Sequence, residues 1–210
     1  MRFVKTFFCL LFVLVLSSNL FPHDFFAGLK IGPGITFAHG DDTDDLDPAA
    51  GMSLGLFGTY SPVRFFAVQA ELNYELKSFS FKADILGGTL ITRQDLHYFS
   101  IPLITKGNFS VSRLLIHPYF GLNFSFLMKA KGHAQYDGAL GNYKEKDTNT
   151  DNFEVFDLGI LFGAETFIKV TDHFFVAFDL RFNIGVLEII EDADVFNGAF
   201  YVLFGAVYKF

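Results

Sequence analysis

Alternation of apolar and polar residues is the feature that most constrains how this chain can fold. It is clearest in the stretch FFAVQAELNYELKSF. One register of that stretch is apolar: Phe66, Val68, Ala70, Leu72, Tyr74 and Leu76. The other register is mostly polar: Ala67, Gln69, Glu71, Asn73, Glu75 and Lys77. A β-strand sends alternate side chains to opposite faces, whereas a helix would mix the two sets. The stretch is therefore predicted to be a strand with one apolar face.

The same period of two recurs along the chain and predicts about eight strands. The other segments are 25–37, 50–61, 96–106, 114–129, 155–169, 174–186 and the terminal YVLFGAVYKF. Long connections alternate with short ones. The long ones are 38–49, 80–95, 131–153 and 188–197, and the short ones are 61–64, 107–113 and 170–173. Long loops at one end and short turns at the other are typical of outer-membrane barrels, for which eight strands is the smallest usual size. The predicted fold class is an all-β, eight-stranded antiparallel up-and-down transmembrane β-barrel.

Alternation alone leaves open which face points outward, because a soluble lipocalin-like barrel also alternates but keeps its apolar face inside. Three features favour the membrane interpretation. The polar face is rich in glycine, which suits a narrow lumen. The apolar faces carry almost no charge over about ten residues, the height of the lipid band. Several apolar faces end in an aromatic residue suited to the membrane interface, as at Tyr60, Tyr74 and Tyr208.

The first residues have the pattern of a secretory leader. Arg2 and Lys5 precede an apolar run over 7–16, which is too short to span a bilayer. We therefore expect a signal peptide at 1–21, with an uncertain cleavage site, and a barrel domain at 22–210. The single cysteine, Cys9, would be lost with the leader, which excludes disulfides and thiol chemistry. The net charge of −7, with no basic patch, argues against nucleic acid as a partner.

Three strand motifs resemble a known family, the small outer-membrane β-barrel proteins of Gram-negative bacteria labelled PorT-like or porin-family. The motifs are YFSIPLITKGNF, IHPYFGLNFSFLM and FDLGILFGAETFI. The resemblance covers roughly 25–210 and implies the barrel fold, but it implies little about activity. In such proteins the barrel-assembly machinery reads a last strand that ends on an aromatic residue. The residues that match this assembly signal are Phe204, Ala206, Tyr208 and Phe210.

The polar registers predict a network of side chains in the lumen. Its expected members are Lys30, Gln69, Glu71, Asn73, Glu75, Lys77, Lys106, Asn123, Lys129, Asp157, Glu165, Asp179, Arg181 and Asn183. An eight-stranded barrel is just wide enough for side chains to fill it, and buried charges must be paired. A structural polar core is therefore the favoured interpretation. A proton or ion path, or a carboxylate pair for acid–base chemistry, is the functional alternative.

The loops offer weak candidate ligands for Ca²⁺ and no other metal pattern. These candidates are Asp41, Asp42, Asp44, Asp45, Asp47, Asp147, Asn149 and Asp151. Neither loop follows the EF-hand pattern, so solvated acidic loops are expected, with no metal and no cofactor. The histidines lack metal-ligand spacing, and no nucleophile-elbow motif accompanies them.

The sequence predicts a monomeric, non-enzymatic protein of the cell outer membrane. Its expected role is structural, or an interaction with an unknown extracellular ligand through long acidic loops on a barrel surrounded by outer-membrane lipid. A small-solute pore is the alternative, followed by a lipid-modifying enzyme. Conductance recordings would separate the first two, and lipid mass spectrometry of a knockout would test the third.

Overall fold

The computed structural model describes residues 24–41, 43, 46–85, 88–138, 143–148, 150, 152–190 and 193–210. The expected signal peptide at 1–21 lies outside these residues. No helix in the described part of the chain has the length and hydropathy to span a membrane.

Strands account for nearly all of the described chain. Eight are long: β1 (Asp24–His39), β2 (Leu46–Val63), β3 (Phe66–Ile85), β4 (Gly88–Gly107), β6 (Leu114–Gly138), β8 (Phe156–Lys169), β9 (Phe174–Ile190) and β10 (Ala193–Lys209). Two are short: β5 (Phe109–Val111) and β7 (Tyr143–Asp147). β5 and β7 each pair with β6, at its opposite ends.

The long strands form a closed antiparallel ring. Each pairs with the next along the chain, with β4 joined directly to β6 and β6 to β8. The ring closes where β1 pairs with β10, from Phe26 opposite Lys209 to His39 opposite Phe196. Closure leaves the described ring of eight long strands without an unpaired edge, which a β-structure in lipid requires because no water is there to satisfy the backbone. The predicted eight-stranded antiparallel barrel is confirmed.

The apolar face of the ring points outward. Large apolar side chains such as Leu29, Leu56, Leu72 and Phe182 are exposed, whereas polar neighbours such as Lys30 and Glu71 are buried. A soluble barrel would show the reverse, so the lipocalin alternative does not hold.

The strands are longer than the sequence pattern indicates. They have 14 to 25 residues, whereas a tilted strand needs about ten to cross the lipid band. The expected loop at 80–95 is instead a continuation of β3 and β4, and β6 and β7 form a hairpin within 131–153. Most of the expected loop at 188–197 also belongs to strands, because β9 ends at Ile190 and β10 begins at Ala193. We call this end of the barrel the hairpin end, and the opposite end, with the connections at 64–65, 112–113 and 170–173, the short-turn end.

Candidate functional site: the polar lumen

The lumen nearer the short-turn end contains a compact ionic network centred on Lys30. Its Nζ atom donates to Glu71 Oε1 at 2.9 Å, Glu165 Oε1 at 2.7 Å and Asp179 Oδ2 at 2.9 Å. These three acids come from β3, β8 and β9, so the network ties together strands far apart in the ring. We call it the lower network.

Arg181 and Lys106 complete the lower network. The Arg181 guanidinium binds both oxygens of Glu71 at 2.8 Å and Asp179 Oδ2 at 2.8 Å. Lys106 donates to Glu165 and also to Gln69. Three cations thus face three carboxylates, and the charges balance. All six side chains are buried, which is the arrangement that buried ions need to be tolerated.

Neutral side chains occupy the remaining hydrogen-bonding positions of the lower network. Asn73 Nδ2 donates to Glu71 Oε2 at 2.8 Å, and Gln69 also donates to Glu71. Tyr119 donates its hydroxyl to Asp179 Oδ1 at 2.7 Å and accepts from Arg181 Nε at 3.2 Å. Each carboxylate is therefore held by several donors, which favours a rigid structural role over acid–base chemistry.

A second polar group, the upper group, lies nearer the hairpin end. Lys77 Nζ lies 3.0 Å from Asp157 Oδ2 and 3.8 Å from Glu75 Oε2. Asn123 Nδ2 donates to Glu75 Oε2 at 3.2 Å, and Asn197 Nδ2 donates to Asp157 Oδ2 at 2.9 Å. The structure places Asn183 in the lumen wall beside this group, where a Cβ at Gly159 would overlap its Oδ1 atom.

Apolar clusters bracket the polar lumen at both ends. At the short-turn end the buried cluster is Phe26, Phe57, Phe167, Phe175, Ala177 and Val207. At the hairpin end it is Phe79, Leu96, Tyr98, Leu127, Ala130, Ile189 and Val195. Sequence analysis missed these residues, although a signal was present. Phe57 shares its register with Gly55 and Thr59, and Phe167 shares its register with Glu165, so both belong to the inward face.

Lys129 was predicted to lie in the lumen, and this prediction was wrong. The pairing of β4 with β6 jumps from His97–Lys129 to Tyr98–Leu127, so Met128 is an extra residue in β6. Such a bulge reverses which face later residues occupy. Leu127 faces inward by regular alternation, but beyond the bulge it is Ala130 that points inward, and Lys129 is exposed. The other thirteen predicted lumen residues are all buried.

The loop aspartates do not converge in the described part of the chain. Asp42, Asp44, Asp45, Asn149 and Asp151 lie outside the described residues. Of the other three candidates, Asp47 pairs with Lys82 at 3.3 Å, Asp41 is exposed, and Asp147 belongs to β7. Among the described residues, no group of three or more His, Cys, Asp or Glu side chains could hold a metal ion.

One trio on the outer face has the residue types of a hydrolase triad. Ser78 Oγ donates to Asp95 Oδ1 at 2.7 Å, and His133 Nε2 lies 3.4 Å from Asp95 Oδ2. Arg93 Nε also donates to Asp95 Oδ1, at 2.6 Å. Ser78 and His133 both contact the carboxylate, and no contact between the two is seen here. Activation of a serine nucleophile requires a base beside its hydroxyl, which this arrangement does not supply.

The four residues of the expected assembly signal all lie on the outward face of the closing strand or just beyond it. Phe204, Ala206, Tyr208 and Phe210 are exposed. Tyr208 contacts the rings of Phe174 and Phe210, with centroids 5.1 and 4.9 Å away. The Phe210 amide donates to Phe25 O at 3.0 Å, which extends the seam between β1 and β10.

Comparison with known proteins gives one family match. Residues 18–191 match the family model described as "Outer membrane protein beta-barrel domain". No curated protein matches the sequence.

Three solved structures with similar folds are distant in sequence. Neisserial surface protein A is 16% identical, with a TM-score of 0.45 over 89% of this chain and 97% of that one. Ail of Yersinia pestis is 14% identical, with a TM-score of 0.42 over 88% and 98%. OprG of Pseudomonas aeruginosa is 11% identical, with a TM-score of 0.48 over 90% and 95%.

Proposed function

The chain belongs to the outer membrane protein beta-barrel domain family, and from this premise we propose that it is a closed, non-conducting scaffold in the cell outer membrane. It acts as a monomer without enzymatic activity and presents its hairpin end to an extracellular ligand. The narrower PorT-like assignment is part of this proposal and rests on the three strand motifs.

The observation that carries the proposal is the filled lumen. A pore needs a continuous path of water, and three successive layers stand across the axis of this barrel. The lower network binds opposite strands together, and apolar clusters around Phe57 and Phe79 lie on either side of the polar region. Opening a path would require breaking buried ion pairs, each of which leaves uncompensated charge.

The hairpin end supplies the surface for interaction. Strands β3, β4 and β6 have 20, 20 and 25 residues, so they extend beyond the lipid band at this end. A cavity of about 490 Å³ opens between them, lined partly by Leu46, Phe79, Phe81 and Gln94. Its size is within the range of small-ligand pockets. β1 ends and β2 begins at the same end, and the sequence between them is acidic, which favours a ligand with positive charge or hydrogen-bond donors.

Planar-bilayer recordings test the closed state. We expect the folded wild-type protein to show no steady open channel, with folding verified by the altered gel mobility of the unheated barrel. A porin of known conductance, inserted under the same conditions, controls for detection. A stable, size-selective conductance from the wild-type protein would contradict the proposal and favour the pore.

A further inference from the structure

The upper group carries one negative charge more than its described residues neutralise. Glu75 and Asp157 are both buried, and Lys77 is the one cation that contacts them in the described structure. The lower network differs, because its three cations match its three carboxylates. A buried net charge is costly, since the interior cannot solvate it as water does.

Buried oxygen atoms without partners cluster beside this excess charge. Asp157 Oδ1, Asn123 Oδ1 and Asn183 Oδ1 have no hydrogen-bond partner among the described residues, and their side chains are at most 1% exposed. In two of these residues the other polar atom of the side chain has a partner. Asn123 Nδ2 donates to Glu75, and Asp157 Oδ2 accepts from Lys77 and Asn197. Buried acceptors normally have a donor or a cation, so three together point to a missing ligand.

A pair of glycines on adjacent strands leaves room for two of the three oxygens, and the third residue lies on the next strand. Gly159 of β8 is opposite Gly185 of β9, and Asn123 of β6 is opposite Gly159 on its other side. A Cβ at Gly159 would overlap Asn183 Oδ1, and a Cβ at Gly185 would lie 3.4 Å from Asp157 Oδ1. The side chains of Asp157 and Asn183 therefore lie over the bare glycine backbone, with Asn123 alongside.

We propose that the upper group binds one monovalent metal cation, of the size of Na⁺ or K⁺, held by Asp157, Asn123 and Asn183. Carboxylate and amide oxygens are the ligands that hard cations prefer. A single positive charge would neutralise the excess charge of the group. The Tyr201 hydroxyl is a fourth buried oxygen without a partner among the described residues. Tyr201 lies on β10, two residues beyond Ala199, which pairs with Asn183.

A monovalent ion fits the site better than a divalent one. Ca²⁺ takes six to eight oxygen ligands and would leave a net positive charge beside the Lys77 ammonium. A water molecule could donate to two of the oxygens, but it would leave the charge unbalanced. A proton on one carboxylate would balance the charge, but it would leave the two amide oxygens without partners.

The test is the cation dependence of unfolding. We would measure the thermal unfolding midpoint of the refolded wild-type barrel in detergent micelles, in sodium or potassium chloride and in choline chloride of equal ionic strength. Because the ligand binds the folded state, the midpoint should rise with the logarithm of the Na⁺ or K⁺ concentration once the site begins to fill. Choline is too large for the site and should give no such rise.

Matched variants locate the effect. Asp157→Asn removes the excess charge with little change in shape, so it should abolish the cation-specific rise. Asn183→Leu keeps the charge but removes one ligand, so it should reduce the rise, and it serves if Asp157→Asn fails to fold. Asp172→Asn makes the same chemical change at an exposed turn and should leave the rise intact. Equal midpoints in sodium, potassium and choline chloride would overturn the proposal and assign the site to water or a proton.

Discussion

Arg181 is the side chain on which the lower network depends most. It lies on β9 yet binds Glu71 on β3 through both terminal nitrogens, and it also contacts Asp179 and Tyr119. Its planar guanidinium matches the two oxygens of a carboxylate, a geometry that a lysine ammonium cannot reproduce. One residue therefore fixes two carboxylates whose other cationic partner among the described residues is Lys30.

We expect Arg181→Ala to lower the free energy of unfolding by about 3–5 kcal/mol, because it leaves Glu71 and Asp179 short of positive charge in the lumen. Arg181→Lys should recover only part of this loss. The control is Lys82→Ala, which removes a half-exposed ion pair with Asp47 and should cost about 0–1 kcal/mol. Urea unfolding in micelles measures all three, and equal stability of Arg181→Ala and wild type would mean that water solvates the lumen.

The bulge in β6 is the element that most changes the composition of the two faces. One extra residue, Met128, moves Lys129 to the outer surface and Ala130 to the lumen. Ala130 thereby joins Leu127, which faces inward by regular alternation, in the apolar cluster that covers the polar lumen at the hairpin end. Without the bulge, a lysine would occupy this part of the lumen.

Cysteine labelling tests the bulge directly, because the sequence has no cysteine other than Cys9. We expect Lys129→Cys in the folded barrel to react rapidly with a hydrophilic maleimide. Ala130→Cys, which points inward, should be protected until the protein is unfolded. Uninterrupted alternation predicts the opposite pattern, with position 129 protected and position 130 reactive. That outcome would show that β6 has no bulge.

Closure of the whole barrel depends on the seam between the first and last strands. β1 and β10 pair over almost their full length, and Phe210 adds a backbone hydrogen bond to Phe25. On the lipid side of the seam, Tyr208 contacts Phe174, its register partner on β9. The same outward residues that cover the seam are the ones proposed to be read by the barrel-assembly machinery.

Tyr208→Asp separates these two roles when it is compared with Phe174→Asp at the same height on the neighbouring strand. A charge on the lipid face costs up to about 2–4 kcal/mol at the midplane and less near the interface. Both variants should therefore fold similarly in lipid vesicles without assembly factors. In cells, Tyr208→Asp should accumulate far less than Phe174→Asp, as measured by heat-modifiable gel mobility of outer-membrane fractions. Equal levels of the two variants in cells would refute the assembly-signal role.

The sequence by itself determined that eight strands form a closed ring with the apolar face outward, but not how far each strand extends. Alternation is a local property, so the sequence of each strand indicates which of its faces meets lipid. Thirteen of the fourteen residues that the polar registers single out are buried in the described structure.

Tertiary structure alone decided which of these residues meet. Four strands supply Lys30, Glu71, Glu165 and Arg181. The contacts among these side chains depend on the stagger of the whole ring, which cannot be read from the sequence of any single strand. The bulge at Met128 was likewise hidden, because the sequence around Lys129 and Ala130 fits either face until pairing with β4 fixes the register. The aromatic clusters at the ends of the lumen are inward-facing by register, but only closure of the barrel brings Phe26, Phe57 and Phe167 together.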